Sequence, residues 1–276
     1  MRSIKQFIYK DPKDLGLNAV FDREYTSLKY ELIGLFIFVL LWIILSFIFF
    51  LRPGFEHFHG FLPGPAFMAL CHAVAEPGFW VSVWASLQRI VAGISLAALF
   101  GIPVGFAIGF YPKMRILTYS PIQFLRMISP LSWMPVALLV FASFESAVVF
   151  LIVMATIWPI ILNVSIGVMN INPQWIKMAM NQGADNVQLM RTIVMPSSLP
   201  YVITSFRLAL GVAWIVLVPA EFLGVTSGLG YLINDARDTM EYDRLMAMII
   251  VIGILGFILD RILQKIQTLF NSSFFE

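Results

Sequence analysis

The chain of 276 residues is 59% hydrophobic and only 12% charged, and its mean hydropathy is +0.86. Soluble domains carry about a quarter charged residues, so this composition excludes a typical soluble domain and predicts one integral membrane domain. The net charge of +2 is too small to indicate a nucleic-acid partner, and the single Cys71 excludes an intrachain disulfide and a cysteine cluster for metal.

The N-terminal part of the chain divides into a polar segment, an apolar run and a second, mixed segment. Residues 1–31 are polar and lack the short apolar core and cleavage site of a secretory signal. Residues 32–51 are long enough to cross a bilayer core of about 30 Å and predict a retained spanning helix. In the following segment, 52–79, Pro63-Gly64-Pro65 is expected to stop any helix, and residues 66–75 are expected to form a short surface helix.

Five further apolar runs predict spans at about 80–111, 127–142, 147–169, 201–222 and 245–263. Lipid offers no partners for backbone polar groups, and the runs are continuous rather than alternating, so they predict helices and not barrel strands. The predicted fold is an all-α integral membrane protein with about six transmembrane helices. Its main transmembrane domain is expected to cover residues 80–267.

Lysine and arginine residues in the short connections predict the orientation of these spans. If the N-terminus is cytoplasmic, the inner segments contain most of the cations. The outer segments then contain Arg52, Arg237 and Arg244 against a larger number of carboxylates, namely Glu56, Glu76, Glu145, Asp235, Asp238, Glu241 and Asp243. We therefore expect both termini, and the polar interruption between the fourth and fifth spans, to face the cytoplasm. The segment 52–79 is expected to lie outside.

Small residues in the second predicted span recur at four-residue spacing and indicate a smooth helix face. They are Gly93, Ala97, Gly101, Gly105 and Gly109. Such a ridge allows another helix to approach closely, so bundle packing is the favoured interpretation. Prolines interrupt several spans and favour a bundle that bends; these are Pro103, Pro130, Pro135 and Pro159.

Four charged residues lie inside the predicted spans, where burial of a charge is expensive. The depths of these residues allow two pairs, Arg89 with Glu221 and Arg207 with Asp260. Structural ion pairs, or side chains that reach towards the interface, are one interpretation. Contact with a transported substrate on the translocation path is the other, and Arg89 is the best candidate for attracting an anion.

The sequence contains no phosphate-binding loop, no Ser/His/Asp set and no His-Glu-x-x-His motif. We therefore predict no catalytic, cofactor-binding or metal site in this chain, and we expect it not to be an enzyme. If the protein pumps, the energy comes from another chain or from an ion gradient.

Residues 173–200 form the one long polar interruption of the apolar part of the chain. Asn172 is placed to cap a helix that begins at Pro173, and Gly183 is placed to break or bend it. A second helix is expected to start near Asp185 and to stop at Pro196 and Pro200. Four methionines in the segment offer flexible apolar surface for a shallow protein groove.

This segment resembles a known signature. Ala179, Gly183, Ile193, Pro196 and Pro200 fall where importer permeases of ATP-binding cassette (ABC) systems carry Glu-Ala-Ala, then Gly, then Ile-x-Leu-Pro. The sequence departs from that signature in two places: Met178 or its polar neighbours replace the acidic residue, and Met195 replaces leucine. The resemblance extends over about residues 62–267, through stretches such as ASLQRIVAG, QFLRMISPLSWMPVAL and SGLGYLINDARD, to permeases of nitrate, sulfonate, taurine and bicarbonate importers.

The resemblance implies the type I ABC importer transmembrane domain in a bacterial inner membrane. It implies a second permease copy, identical or paralogous, ATPase subunits that bind ATP and Mg²⁺, and an external substrate-binding protein. The segment near 173–196 then corresponds to the coupling helix that docks on the ATPase. The coupling residues that this implies are Met178, Ala179, Gly183, Ala184, Asp185, Arg191 and Pro196.

The same resemblance orders the candidate substrates. Nitrate, nitrite or bicarbonate is the first expectation, and an organosulfonate such as taurine is the second. A secondary carrier driven by an ion gradient is the alternative of another class. It would be expected to show an internal repeat and relays of intramembrane carboxylates.

Overall fold

A computed structural model describes residues 17–50, 54, 56–222 and 224–275, and all regular elements within these ranges are helices. The chain divides into two compact units, Met1–Ala66 and Phe67–Glu276. The first unit contains α1 (Leu17–Phe50) and a short 3₁₀ helix (Glu56–Phe61). The apolar window Ile33–Phe50 of α1 has a mean hydropathy of 3.0 and confirms the first span. Of the predicted N-terminal segment 1–31, residues 17–31 continue this helix, and residues 1–16 lie outside the described residues.

Helix α2 (Pro63–Ala75) begins at Pro63, so the expectation that Pro63-Gly64-Pro65 stops any helix is wrong. Proline is tolerated in the first turn of a helix because the N–H that it lacks has no intrahelical acceptor there. The same prolines that would break a helix interior therefore begin this one. The short helix expected at 66–75 is present, extended by one turn at its start.

The second unit is built around four long helices, and its remaining helices connect them. The long helices are α3 (Pro77–Phe110), α6 (Phe144–Met169), α9 (Met195–Glu221) and α11 (Tyr242–Phe275). The connecting helices are α4 (Pro112–Met127), α5 (Met134–Val140), α7 (Pro173–Asn181), α8 (Asn186–Leu189) and α10 (Leu229–Asp238). By length and composition, the described residues contain five helices that can cross a membrane, and six if one bent pair counts as a span.

That bent pair confirms that prolines interrupt the third span and corrects its bounds, which were predicted at 127–142. Helix α4 ends at Met127, and the chain resumes at Pro130 after a bend of 87°. Residues before a proline avoid the helical region, and Ser129, which precedes Pro130, has ψ 130°. Ile128 is extended as well, with ψ 124°. Two consecutive extended residues separate the helices, so the apolar run is broken rather than straight.

The glycine ridge of α3 packs directly against α6, as predicted. A Cβ atom added to Gly93 would lie 2.4 Å from Ile152, one added to Gly105 would lie 2.8 Å from Val164 Cβ, and one added to Gly109 would lie 2.5 Å from Val168 Cβ. These distances are shorter than any normal contact between carbon atoms, so the two helix backbones approach as closely as glycine allows. The helix pair α3–α6 forms the centre of the second unit.

Helix α9 corrects a second prediction, that Pro196 and Pro200 stop the helix before the fifth span. Helix α8 passes through a π-helical turn (Met190–Val194) into α9, which begins at Met195 and continues to Glu221. Pro196 follows the π turn and Pro200 lies inside α9, so neither proline ends the helix. A wide π turn relieves the backbone where a regular helix would clash with the proline ring. The polar segment and the fifth span are therefore one helical path.

We expect replacement of Gly105 by alanine to destabilise the protein by roughly 1–3 kcal/mol, because the new Cβ overpacks the α3–α6 contact. Gly211→Ala in α9 is the matched control, since no atom lies within 4 Å of a Cβ at that position. Thermal unfolding of the purified protein in detergent, followed by intrinsic fluorescence, measures both variants. A Gly105→Ala variant as stable as the control would contradict the close packing of this ridge.

Candidate functional site

Two parts of the second unit carry the residues that the sequence singles out. The first is the α7–α8 surface, formed by residues 173–191 together with the start of α9. The Asn172 side chain accepts a hydrogen bond from the Gln174 backbone N–H at 2.9 Å and caps α7 as predicted. Gly183 has φ +86°, a conformation that favours glycine, and it turns the chain between α7 and α8. Asp185 caps α8 by accepting from the Gln188 backbone N–H at 2.6 Å.

One face of the α7–α8 surface is anchored and the other is exposed. Ile176 and Ala179 pack against a buried cluster that includes Ile171, Leu189 and Val194. This apolar contact holds the two short helices against the bundle. A cleft of about 380 Å³ lies between α7 and the start of α9, with Trp175, Met178, Thr192 and Ile193 among its lining residues.

The predicted coupling residues all lie on the α7–α8 surface. Met178 is 61% exposed. The others divide into exposed Gly183, Asp185 and Arg191, and half-buried Ala179, Ala184 and Pro196. Sequence reasoning did not single out Trp175 and Val187, which add two large exposed apolar side chains. Large exposed apolar side chains next to a polar rim are typical of a protein-binding surface.

The second part is a charged cluster around Arg89, where α3, α6, α9 and the segment before α10 meet. The Arg89 side chain is 3% exposed and forms an ion pair with Glu221, whose side chain is fully buried. Its other edge binds Glu145 in the first turn of α6, with Nε–Oε2 at 2.6 Å and Nη2–Oε1 at 2.5 Å. Both carboxylates therefore bind one guanidinium, and Arg89 joins α3 to α6 and α9.

The buried Glu221 carboxylate has further hydrogen-bond donors besides Arg89. Ser86 Oγ donates to it at 2.7 Å, and the Gly230 backbone N–H donates at 2.7 Å. Ser86 Oγ in turn accepts from the Leu229 backbone N–H at 2.8 Å. Because an unsatisfied buried charge would be strongly destabilising, these bonds fix the chain at residues 228–230 against the ends of α3 and α9.

Two glycines make this arrangement possible. Gly228 has φ +130°, and a Cβ there would lie 2.5 Å from Arg89 Nη1 and 2.6 Å from Glu221 Cδ. A Cβ on Gly230 would lie 2.5 Å from the Val218 carbonyl oxygen. The Ser-Gly-Leu-Gly stretch at 227–230 thus allows the backbone to reach the buried ion pair.

The second predicted pair is also present. Arg207 Nε binds Asp260 Oδ1 at 2.8 Å, and Arg207 Nη2 binds Asp260 Oδ2 at 3.0 Å, so the pair joins α9 to α11. The two side chains are 34% and 47% exposed. Unlike the Arg89 cluster, this pair is partly exposed on both side chains.

The structure brings together more residues around Arg89 than the sequence predicted. Glu145 falls outside the predicted spans, in a connection where a carboxylate is ordinary, so no local signal marks it as a partner. Ser86 lies one helical turn before Arg89, and its contribution depends on a fold that returns residues 221–230 to α3. In this geometry the Arg89 side chain links α3 to α6 and α9 through its two ion pairs. Its predicted role in attracting an anion requires Glu145 to move.

Comparison with known proteins identifies the family. Residues 97–272 match the family described as "Binding-protein-dependent transport system inner membrane component". The chain therefore belongs to this family of permeases, and it is a multi-pass membrane component of a transport system.

Relatives named for the transport of different substrates match this chain at similar identity. The bicarbonate transport system permease protein CmpB of Synechococcus elongatus is 34% identical over 191 residues, which are 68% of each chain. The taurine transport system permease protein TauC of Escherichia coli is 34% identical over 188 residues, 68% of each chain. The nitrate import permease protein NrtB of Synechocystis is 32% identical over 195 residues, 70% of each chain.

Solved structures confirm the predicted fold. A chain of the MetNI methionine ABC transporter in an inward-facing conformation aligns with a TM-score of 0.58 at 17% identity, over 71% of this chain and 99% of that chain. A bacterial ABC transporter involved in the import of the polysaccharide alginate aligns with a TM-score of 0.58 at 16% identity, over 89% of this chain and 98% of that chain. The fold is the type I ABC importer transmembrane domain.

We expect Gly228→Ala to lower the melting temperature of the purified protein, because the strained backbone alone costs roughly 1–3 kcal/mol and the new Cβ meets Arg89 and Glu221. Gly253→Ala in α11, where a Cβ meets no atom within 4 Å, is the control. Equal melting temperatures for the two variants would show that residues 227–230 do not need this close approach.

Proposed function

We propose that this chain is the permease subunit of an ATP-driven importer and forms the path for a small oxyanion. The observation that carries this proposal is the set of relatives named for bicarbonate, taurine and nitrate transport, each about as similar to this chain as the others. These substrates differ in size but share a negatively charged group with several oxygen atoms. Nitrate, nitrite or bicarbonate is our first choice of substrate, and an organosulfonate such as taurine is the second.

The proposal includes partners that supply the energy and the substrate. ATPase subunits would bind ATP and Mg²⁺, a second permease copy, identical or paralogous, would complete the path, and an external binding protein would deliver the anion. The family description, which names a binding-protein-dependent system, supports the last of these. The same description, which names an inner membrane component, supports a location in a bacterial inner membrane. The distribution of lysine and arginine supports both termini in the cytoplasm.

The α7–α8 surface is proposed as the docking site for the ATPase. Its apolar side chains Trp175, Met178 and Val187 are exposed, and Lys177 and Arg191 add positive charge beside them. Such a surface suits a groove in a protein partner, with the aromatic and methionine side chains as anchors. The apolar anchor beneath α7 and α8 would transmit movement of the partner to α9.

We expect Met178→Glu to reduce co-purification of the ATPase by about tenfold or more, because a carboxylate would replace an apolar contact at the centre of the interface. Met178 is exposed, so membrane insertion and yield should not change. Met114→Glu, at an exposed methionine in the first turn of α4, is the matched control. Pull-down of the tagged ATPase from membranes provides the measurement, and full retention by the Met178 variant would remove α7–α8 as the docking site.

Transport itself is tested with the assembled complex in liposomes, together with the binding protein. We expect uptake of labelled nitrate or bicarbonate only when ATP is present. Uptake of labelled taurine in their place would select the second substrate. Uptake driven by an ion gradient without ATP would identify a secondary carrier and refute the importer proposal.

A further inference from the structure

We propose that the Nε/Nη2 edge of Arg89 is a binding site for a planar oxyanion, and that Glu145 occupies this edge until the transported anion replaces it. This inference rests on the proposed function, because it takes the substrate class from it. It adds a defined contact in the permease itself, in a segment far from the α7–α8 surface.

The two edges of the Arg89 guanidinium have different environments. Nη1 binds the buried Glu221 and the Ser227 backbone carbonyl, the latter at 2.8 Å. Nε and Nη2 bind only Glu145 at short distance, and Ser227 Oγ lies 3.4 Å from Nη2. One edge is therefore held inside the bundle, while the other depends on a single carboxylate.

Glu145 and Glu221 also differ in what they would lose by leaving Arg89. Glu221 is fully buried and has Ser86 and Gly230 as further donors, so it stays in place. The Glu145 side chain is 55% exposed, so more than half of its surface lies outside the packed interior of the unit. Removing Glu145 from Arg89 exchanges a protein contact for water at small desolvation cost, whereas removing Glu221 would leave a charge in the apolar interior.

The geometry of the exchangeable contact defines the ligand class. Two parallel N–H groups of an arginine fork match two oxygen atoms of a planar anion, which is how Glu145 binds here. Nitrate, bicarbonate and carboxylates present the same pair of oxygens. Glu145 also lies in the first turn of α6, a helix of 26 residues, where the helix dipole favours negative charge. An anion that replaces the carboxylate would occupy the same favourable field.

Replacing Glu145 by the anion leaves the charge of the buried cluster unchanged. Arg89 and Glu221 neutralise each other, and the second negative charge comes either from Glu145 or from the ligand. The exchange therefore requires no proton and no unpaired buried ion. It also breaks the ion pair that joins α6 to α3 at this point, since Arg89 is the group that Glu145 binds.

The test measures nitrate binding to the purified permease–ATPase complex without ATP and without the binding protein. The melting temperature is recorded over a range of sodium nitrate concentrations, with sodium chloride keeping the ionic strength constant, and its rise with nitrate gives the dissociation constant. In Glu145→Gln the amide competes less well for the arginine fork. We expect nitrate to bind about tenfold more tightly, the change that one charge-assisted hydrogen bond produces.

Asp260→Asn is the matched control, because it also releases an arginine fork, that of Arg207, at another place in the bundle. Nitrate affinity should stay at the wild-type value in this variant. Equal affinity of Glu145→Gln and wild type, or an equal gain in Asp260→Asn, would overturn the exchange. Arg89→Lys, which cannot form the fork, should lose the nitrate dependence while keeping a measurable unfolding transition.

The outcomes separate this inference from the proposed function. A complex that takes up nitrate with ATP, but shows no effect of Glu145→Gln on binding, refutes the exchange and leaves the importer in place. A wild-type complex that transports no oxyanion refutes the proposed function instead.

Discussion

The requirement that Glu221 remain paired in an apolar interior governs the arrangement of the second unit. A carboxylate without donors at this position would be strongly destabilising, and it receives donors from α3 and from the segment before α10. Those donors come from residues more than a hundred positions apart in the chain, such as Ser86 and Gly230. The pairing therefore fixes how α3, α9 and the start of α10 meet, and Gly228 and Gly230 are the residues that permit it.

Close packing of α3 on α6 has a different physical origin. It depends on the absence of side chains at Gly93, Gly105 and Gly109, so that the β-branched residues of α6 contact the α3 backbone. Between apolar helices in a membrane, such contact is a main source of stability, since lipid is as apolar as the side chains. Packing thus holds the centre of the bundle, while hydrogen-bonded charges hold one of its ends.

The sequence predicted those features that depend on composition or on a local period. The long apolar runs gave the spans, the spacing of Gly93 to Gly109 gave the helix contact, and the Asn172-Pro173 pair gave the start of α7. The errors arose where a proline has two possible roles. Pro63 begins a helix instead of ending one, because it falls in a first turn, and Pro196 and Pro200 lie in a helical path that continues past them. Pro130, in contrast, follows the break between α4 and α5.

The candidate site was predictable only in part, because some of its residues have no local signal in the sequence. The pairs Arg89–Glu221 and Arg207–Asp260 follow from depth in the spans, because a charge in an apolar run needs a partner at the same level. Glu145 has no such signal, since it lies at the start of a helix next to Ser143, where a carboxylate is common at any helix N-terminus. Its contact with Arg89 depends on the packing of α6 on α3, which no local pattern encodes.

The two candidate parts of the molecule are joined by one element, which gives a route from a partner docked on the α7–α8 surface to the Arg89 cluster. Helix α9 begins at the π turn beside the α7–α8 surface and ends at Glu221 in the Arg89 cluster. An ideal helix of 27 residues is about 40 Å long, and α9 contains Pro200 and Pro219, each of which removes one backbone hydrogen bond. A tilt applied at the π turn would reach Glu221 through α9, with any bend placed at these two prolines. Glu221 stays bound to its donors, so such a movement would first break the contact between Arg89 and the exposed Glu145.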